Sequence, residues 1–533
     1  MASSGLSLVR RAAEAVRRTP RWRKRLIYFG VGLTTLTYAC QDNEVLQICD
    51  GTGNKKKVVI LGTGWASASF LRNIDTSLYD VHVVSPRNYF TFTPLLPSVT
   101  CGTVEARSIV EPVRNIVRKR KAAFRFWEAE CFKIDPTNKK VHCRSDVGTN
   151  INGDGEFVVD YDYLIVGVGA RPNTFNTPGV TENCHFLKEV EDAQNIRKSV
   201  LKCFERASLP NISEEERKKN LHFVVIGGGP TGVEFAAELH DFVNEDLAKL
   251  YPDVKKYVNI SVIEAGGHIL TMFDKRITQF AEEKFKRDGI DLKTNFKVVK
   301  VSDKDITMTN PATGEIAVPY GMAVWSTGIG TRPIIMDFMK QVGQGNRRAL
   351  ATDEWLRVQG CEDVYALGDC ATIAQRKVMM KGFHDLLKDS DGNSKELKEL
   401  DIEQFKKALA QVDSQVKMLP ATAQVAAQEG EYLAKCFNRM KICEENPEGP
   451  LRIRGAGHHR FKPFRYRHFG QFAPLGGEQT AYQLPGDWVH VGHSTQWLWY
   501  SAYASMQFSW RTRMLVVSDW GRRFIFGRDS SSL

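Results

Sequence analysis

Apolar residues in this chain gather in short β-branched runs that break on glycine and are followed by stretches of apolar period 3.6. KVVILGTG (57–64) reads as a buried strand and turn, WASASFLRNI as the helix leaving it, and YDVHVVSP as a second strand. The same order returns at Leu221, where LHFVVIGGGPTGVEFAAELHDF predicts strand, turn and helix and VNISVIEA predicts a partner strand closing on Glu264. VDYDYLIVGVG (159–169) predicts one further strand with a glycine turn. MAVWSTGIGTRP (322–333) repeats the pattern of LIVGVGARP (164–172), so each unit has its own crossing strand. CEDVYALGDCA (361–371) predicts a strand ending on Gly368 and Asp369. LPATAQVAAQEGEYLAKCF predicts an Ala-rich helix with Gln424 and Gln428 on one face at i, i+4. Between the first two units, RNYFTFTPLLPSVTCGTVEARSIVEPVR is too rich in proline and aromatic residues for one regular element and reads as a loop and helix start covering the sheet. Strands alternating with helices predict an α/β fold.

The glycine turns carry the chemistry. GTGWAS begins at Gly62 and GGGPTG at Gly227, 165 residues apart. In each, the first glycine makes the tight turn and the second (Gly64, Gly229) lets backbone N–H groups reach a pyrophosphate at a helix N-terminus. The third position needs a small residue for close helix–strand packing. The second motif is complete with Gly232, whereas the first has Ser67 there and ends its partner strand on Ser85, Pro86 and Arg87 rather than on an acid. Glu264 stands 37 residues after Gly227, a long spacing that the charged KLYPDVKK insertion explains. A carboxylate there bonds both ribose hydroxyls and repels a 2′-phosphate, which favours NADH over NADPH. Two such units imply two bound dinucleotides in two Rossmann-like dinucleotide-binding domains, with electrons passing between them. Asp369 can accept hydrogen bonds from ribityl hydroxyls, which points to a flavin. The Ala and Val neighbours of Gln424 and Gln428 let that helix face pack against a flat ring while the amides donate hydrogen bonds.

Composition adds an address. The formal charge is +11 over 533 residues, but eight Lys and Arg residues lie between Arg10 and Arg25 against the single acid Glu14. That is the make-up of a mitochondrial transit segment, and without its net seven charges the balance falls to +4, so nucleic acid is not implied. Leu26–Cys40 is apolar yet shorter than the ~20 residues of a simple membrane span; it is either a stop or anchor element or part of a cleaved presequence. A mean hydropathy of −0.31 excludes a helical membrane bundle. The 11 cysteines form no CxxC pair and no His cluster has metal spacing, so no metal is expected. Between Trp65 and Arg107 only Cys101 occurs, which argues against a redox-active disulfide. Residues 380–418 read as an exposed charged insertion. Its calcium-loop-like stretch fails at Ser394 and Leu400, where a glycine and a bidentate acid are needed. From Trp497 onward, aromatic residues mix with Arg511, Arg513, Arg522, Arg523 and Arg528; this is either an ordinary C-terminal core helix or, as that density favours, an amphipathic element on an anionic bilayer.

SPRNYFTFTPLLPSV, YDYLIVGVGA, VVIGGGPTGVEFAAEL, YALGDCA, LPATAQVAAQEG and the terminal FGRDSS together resemble the type II, non-proton-pumping NADH:ubiquinone dehydrogenases of mitochondria, in their external plant-type branch, across nearly the whole chain after residue 50. The resemblance implies a two-dinucleotide-binding-domain flavoprotein fold with a C-terminal membrane-associating domain. FAD would contact Gly62, Gly64, Arg87, Gly169 and Asp369. NADH would contact Gly227, Gly229, Gly232, Glu264 and the turn at Gly328. Gln424, Gln428 and Tyr503 would line the quinone site, and Glu234 would be the acid near nicotinamide and flavin. The implied organisation is a targeting segment (1–50), a first FAD-binding part (51–215), an NADH-binding domain (216–345), a second FAD-binding part (346–440) and a membrane-associating domain (441–533). The implied setting is a homodimer on the inner mitochondrial membrane surface, with ubiquinone as acceptor, and the apolar stretch after the basic arm suggests the intermembrane-space face, through a stop during import. External-branch members often carry a calcium-binding insertion; the degenerate stretch here argues against calcium activation. A sulfide:quinone oxidoreductase is disfavoured by the lack of a suitable cysteine pair. A flavin-bearing signalling protein resembling apoptosis-inducing factor is disfavoured by the intact AQxAxQ helix.

Overall fold

Strands Lys57–Leu61 and His222–Ile226 are almost wholly buried, as parallel strands covered on both faces must be. Each is the centre of a five-stranded parallel sheet in the computed structural model, which describes residues 55–117, 124–145, 155–375, 417–445, 462–486 and 488–531. The basic arm, Leu26–Cys40 and all but the last two residues of the 380–418 insertion lie outside the described residues. The first sheet runs Val364–Ala366, Tyr163–Val166, Lys57–Leu61, Asp80–Ser85, Arg125–Glu128. The second runs His185–Phe186, Met322–Trp325, His222–Ile226, Asn259–Glu264, Asp291–Thr294. The two crossing strands therefore occupy equivalent places beside the two fingerprint strands.

The run at 159–169 is two strands rather than one. Glu156–Asp160 belongs to a separate antiparallel sheet with Glu130–Asp135 and Lys140–Arg144, and only Tyr163–Val166 enters the parallel sheet. The break falls at Asp162, whose carboxylate accepts the Lys57 N–H at 2.6 Å while its own N–H donates to the Lys57 carbonyl. A short antiparallel ribbon, Arg171–Pro172 with Ile329–Gly330, ties the two units together. The Arg332 Nε–H adds a bond to the Val168 carbonyl at 2.8 Å.

Each fingerprint helix meets its crossing strand through one small side chain, but on opposite partners. In the second unit the helix residue is Gly232, and a Cβ there would lie 2.6 Å from the Ser326 hydroxyl and 2.1 Å from the Gly227 carbonyl. In the first unit the helix carries Ser67 and the crossing strand carries Gly167, where a Cβ would lie 2.3 Å from the Ser67 Oγ. The missing third glycine of the first motif is thus supplied by the neighbouring strand.

The C-terminal segment is a three-stranded sheet (Gln471–Pro474, Thr480–Leu484, Trp488–Gly492) followed by helices His493–Met506 and Trp510–Phe526. It is part of the core: Trp499, Tyr500, Val516 and Trp520 pack in one cluster with Phe90, Phe92, Phe223 and Phe235. Three of the arginines expected to face a bilayer are committed internally. Arg522 pairs with Glu105, Arg523 with Glu245, and Arg528 with Glu245 and Asp246 at 2.7 and 2.9 Å. Arg523 and Arg528 are buried beside those acids, and the exposed residues of the two helices include the apolar Leu498, Met506, Trp510, Met514, Ile525 and Phe526 together with Arg511.

Reversing the small-residue arrangement tests the packing. Gly167→Ser alone should destabilise the protein by about 1–3 kcal/mol through overpacking. Adding Ser67→Gly should return most of that loss in a urea or thermal melt. A double variant no more stable than Gly167→Ser would refute the reciprocal contact.

Candidate functional site

Both fingerprint helices begin with an uncovered N-terminus. Gly64 and Gly229 are the N-caps of Trp65–Asn73 and Pro230–Phe242, and neither makes a side-chain cap bond. A Cβ at either glycine would meet no heavy atom within 4 Å, so open space lies over the first helical turn. Gly62 and Gly227 turn the chain at φ +93° and +115°, and each donates its N–H to the neighbouring strand's last turn, Val84 and Ile263, at 2.8 Å. An anion placed there is met by unpaired N–H groups and the positive end of the helix dipole.

Topology collects the remaining residues at the same sheet edges. Gly62, Arg87, Gly169 and Asp369 follow the carboxyl ends of four of the five strands in the first sheet; Gly227, Glu264 and Gly328 do so in the second. Ligands of open α/β sheets bind at this edge. Gly169 and Gly328 both adopt positive φ, but a Cβ would find open space at Gly169 and the Phe175 ring, 2.6 Å away, at Gly328.

The two strand-end positions differ as their sequences do. Glu264 Oε2 accepts from the Gly228 N–H and Oε1 from the Gly266 N–H, both at 2.7 Å, so this carboxylate is oriented before any ligand arrives. Ser85, its counterpart, shares its Oγ with the Thr63 hydroxyl at 3.1 Å and accepts from the Arg87 N–H. Arg87 pairs with Glu189, and Lys188 pairs with Asp369 at 3.1 Å. Lys188 and Glu189 escaped sequence reasoning. The visible signal was the capping-box spacing of Glu189 with Asp192, which starts helix Val190–Ala207.

Glu234 and Tyr503, from distant parts of the chain, lie near enough for the charge of the first to act on the second. Burial, then the Glu238 carboxylate one turn on, push the Glu234 carboxyl well above the usual carboxylate range. Tyr503 packs on Trp499, Phe92 and Phe472 with ring centroids at 4.7, 5.7 and 6.0 Å. Its phenol is raised first by burial and then by the charge of Glu234. The buried Cys101 thiol is pushed up to about 12 by burial, which leaves it protonated and a poor nucleophile. Among the described residues, no group of three or more His, Cys, Asp or Glu is arranged to hold a metal ion.

The glutamine helix, Ala423–Glu445, differs from the expectation in what its amides meet. The Tyr466 hydroxyl and the Phe469 N–H both donate to Gln424 Oε1, at 2.7 and 3.0 Å, and Gln424 Nε2 donates to the Gly470 carbonyl. Gln428 exchanges two bonds with the Arg467 backbone at 2.8 and 3.0 Å. An extended strap has N–H and C=O groups to satisfy, and the two amides take the place of a strand partner. The strap runs on into Phe472, whose ring meets that of Tyr503 edge to face at 6.0 Å.

Comparison with known proteins agrees with this geometry. The family model described as "Pyridine nucleotide-disulphide oxidoreductase" matches residues 56–430, and "NDH2 C-terminal domain" matches 468–529. The chain is 65% identical over 527 residues to the external alternative NAD(P)H-ubiquinone oxidoreductase B3, mitochondrial, of Arabidopsis thaliana, covering 90% of this chain and 91% of that one. The chain belongs to the external alternative NAD(P)H-ubiquinone oxidoreductases. It is also 40% identical over 508 residues to the external NADH-ubiquinone oxidoreductase 2, mitochondrial, of Saccharomyces cerevisiae, covering 90% and 82% of the two chains. The solved structure of NDH2 from Plasmodium falciparum in complex with NADH superposes with a TM-score of 0.80 at 32% identity, covering 90% of this chain and all of that one. As in this flavoprotein family, the cofactors are FAD and NAD(P)H, and the two uncovered helix N-termini fit their pyrophosphates.

In this oxidoreductase, Glu264→Gln places an NH2 group against one of two backbone N–H donors that now share a carboxylate. The kcat/KM for NADH should fall about tenfold or more. The NADPH/NADH ratio should rise as repulsion of the 2′-phosphate is lost. Steady-state rates with both nucleotides check this, and an unchanged ratio would remove Glu264 from nucleotide selection.

Proposed function

We propose that this protein is a single-subunit NADH:ubiquinone oxidoreductase of the inner mitochondrial membrane. FAD, when bound, would supply the two-electron chemistry that links NADH oxidation to ubiquinone reduction, without proton pumping. The net change, NADH + quinone + H⁺ → NAD⁺ + quinol, needs a proton at the quinone. The observation that carries the reading is that Tyr503, on the C-terminal helix, packs on Phe92 of the first fold and Phe472 while its phenol feels the charge of Glu234, on the NADH-side fingerprint helix. It supports a site where nucleotide and quinone chemistry share one wall. Gly62, Gly64, Arg87, Gly169 and Asp369 hold FAD on this reading; Gly227, Gly229, Gly232, Glu264 and Gly328 hold NADH. Tyr503 and the helix of Gln424 and Gln428 border the quinone, the two amides holding the strap that closes its side. Glu234 keeps a proton at its carboxyl, and Tyr503 and its aromatic neighbours exclude water.

Membrane contact falls to the apolar outer face of the last two helices. Leu498, Met506, Trp510, Met514, Ile525 and Phe526 are 48–82% exposed there. Among the described residues no helix is long and apolar enough to cross a membrane, so the reading is peripheral docking. The apolar Leu26–Cys40 stretch after the basic arm supports arrest during import, hence the intermembrane-space face. The family resemblance supports a homodimer.

Two outcomes test this. Because Glu234 has its affinity for a proton raised, it is neutral below that raised value, and proton-dependent quinone turnover should fall as pH rises through it. Glu234→Gln should lose that alkaline limb and lower kcat with a short-chain quinone roughly 10²-fold, with NADH still reducing the flavin in stopped-flow traces. Full turnover in the variant would exclude the role. Separately, changing Trp510, Met514, Ile525 and Phe526 together to Gln should weaken binding to phosphatidylglycerol vesicles by roughly 100-fold or more, each large side chain being worth about 1.5–3 kcal/mol when fully buried. Undiminished cosedimentation would place the membrane face elsewhere.

A further inference from the structure

Glu429, which the reaction described above does not use, occupies the seam between the first nucleotide fold and the glutamine helix. The seam is tight: a Cβ on Gly430 would lie 2.1 Å from the Ala66 carbonyl oxygen of the first fingerprint helix. Glu429 is only 5% exposed, and its Oε2 accepts the Gly368 N–H at 2.6 Å. Gly368 opens the turn that presents Asp369, has φ +70°, and is flanked by Ala66 and Ala426, which seal it from both helices.

The charges around this carboxyl are few. From the turn come the Asp369 carboxylate, already paired with Lys188 at 3.1 Å, and the buried Cys370 thiol. The first fingerprint helix contributes Ala66 and Phe70, and on its own helix the nearest charged pair, Glu431 with Lys435, is exposed. Among the described residues no Lys or Arg pairs with Glu429. One backbone N–H and a neighbouring anion do not repay the loss of hydration. Burial first, and Asp369 with it, push the carboxyl up to about 8.

We propose that Glu429 is a positioning residue that binds a proton from solvent as the flavin site gains electrons and returns it as they leave for the quinone. This rests on the reading that the flavin lies at the Gly368–Asp369 turn. Only one O–H bond forms and breaks, at the Glu429 carboxyl, and the overall stoichiometry is unchanged. The buried carboxyl limits the charge that builds up beside Asp369. Through Gly430 and Gln428 it also links the protonation of the flavin turn to the seating of the glutamine helix.

The test is a spectroelectrochemical titration of the purified FAD-loaded protein and of Glu429→Gln, between about pH 6 and 10. If added negative charge raises the affinity of Glu429 for its proton, the wild-type midpoint potential should fall more steeply above about pH 8, by one extra proton per two electrons. Glu429→Gln should show no break there. The reduced-minus-oxidised infrared spectrum of the wild type above that pH should gain a neutral carboxylic C=O band that the variant lacks. A wild-type line without the break, or the same break in the variant, overturns the proposal; the wild-type titration decides alone if Gln does not retain FAD. Quinone turnover on the same sample tests the proposed function separately. A preparation without flavin overturns both.

Discussion

The structure depends on backbone approaching backbone where no side chain fits. Gly62 faces the Gly167 carbonyl, Gly232 the Gly227 carbonyl, and Gly430 the Ala66 carbonyl, and an added Cβ would lie 2.5, 2.1 and 2.1 Å from those oxygens. No rotamer change relieves such a contact, because the obstacle is main chain. The first two hold each fingerprint helix against its sheet with its N-terminus uncovered. The third docks the glutamine helix on the first of them. The dinucleotide seats are therefore formed by backbone packing before a ligand arrives, which lowers the ordering cost of binding.

Polar contacts then join the two folds to the C-terminal unit. Glu238 receives the Ser98 and Thr103 hydroxyls at 3.0 and 2.8 Å, and the buried Arg528 binds the same Thr103 hydroxyl and the Glu245 and Asp246 carboxylates. Removing one member would strand a buried charge, a loss of about 3–5 kcal/mol in comparable pairs. The arrangement explains why the C-terminal unit is not an appended tail. Its inner face packs Tyr503 on Phe92 and Phe472, and its large exposed apolar side chains lie on the other side.

The sequence was most legible where function rests on local backbone geometry. Glycine turns, their following helices and the strand-end Glu264 are set by residues within one βαβ unit, so periodicity and spacing reveal them. It was less legible where a side chain's partner is remote. Arg87 and Glu189 are 102 positions apart and Lys188 and Asp369 are 181 apart, and nothing in either segment names the other. The amides of Gln424 and Gln428 sat on the expected helix, yet their partners come from a strap about 40 residues further on. The Ser67 departure looked like a weakened motif until Gly167 was placed against it.

By itself, then, the chain's pattern determined two dinucleotide folds and the glycine turns that open their helices, because each follows from neighbours in sequence. Tertiary structure alone decided which acids are neutralised and which left bare, that the last helices belong to the core, and that Glu429 lies buried behind Gly368. Burial and charge pairing are properties of space: a carboxyl's proton affinity depends on the water it has lost and the ions it has gained, and neither is written in its own segment.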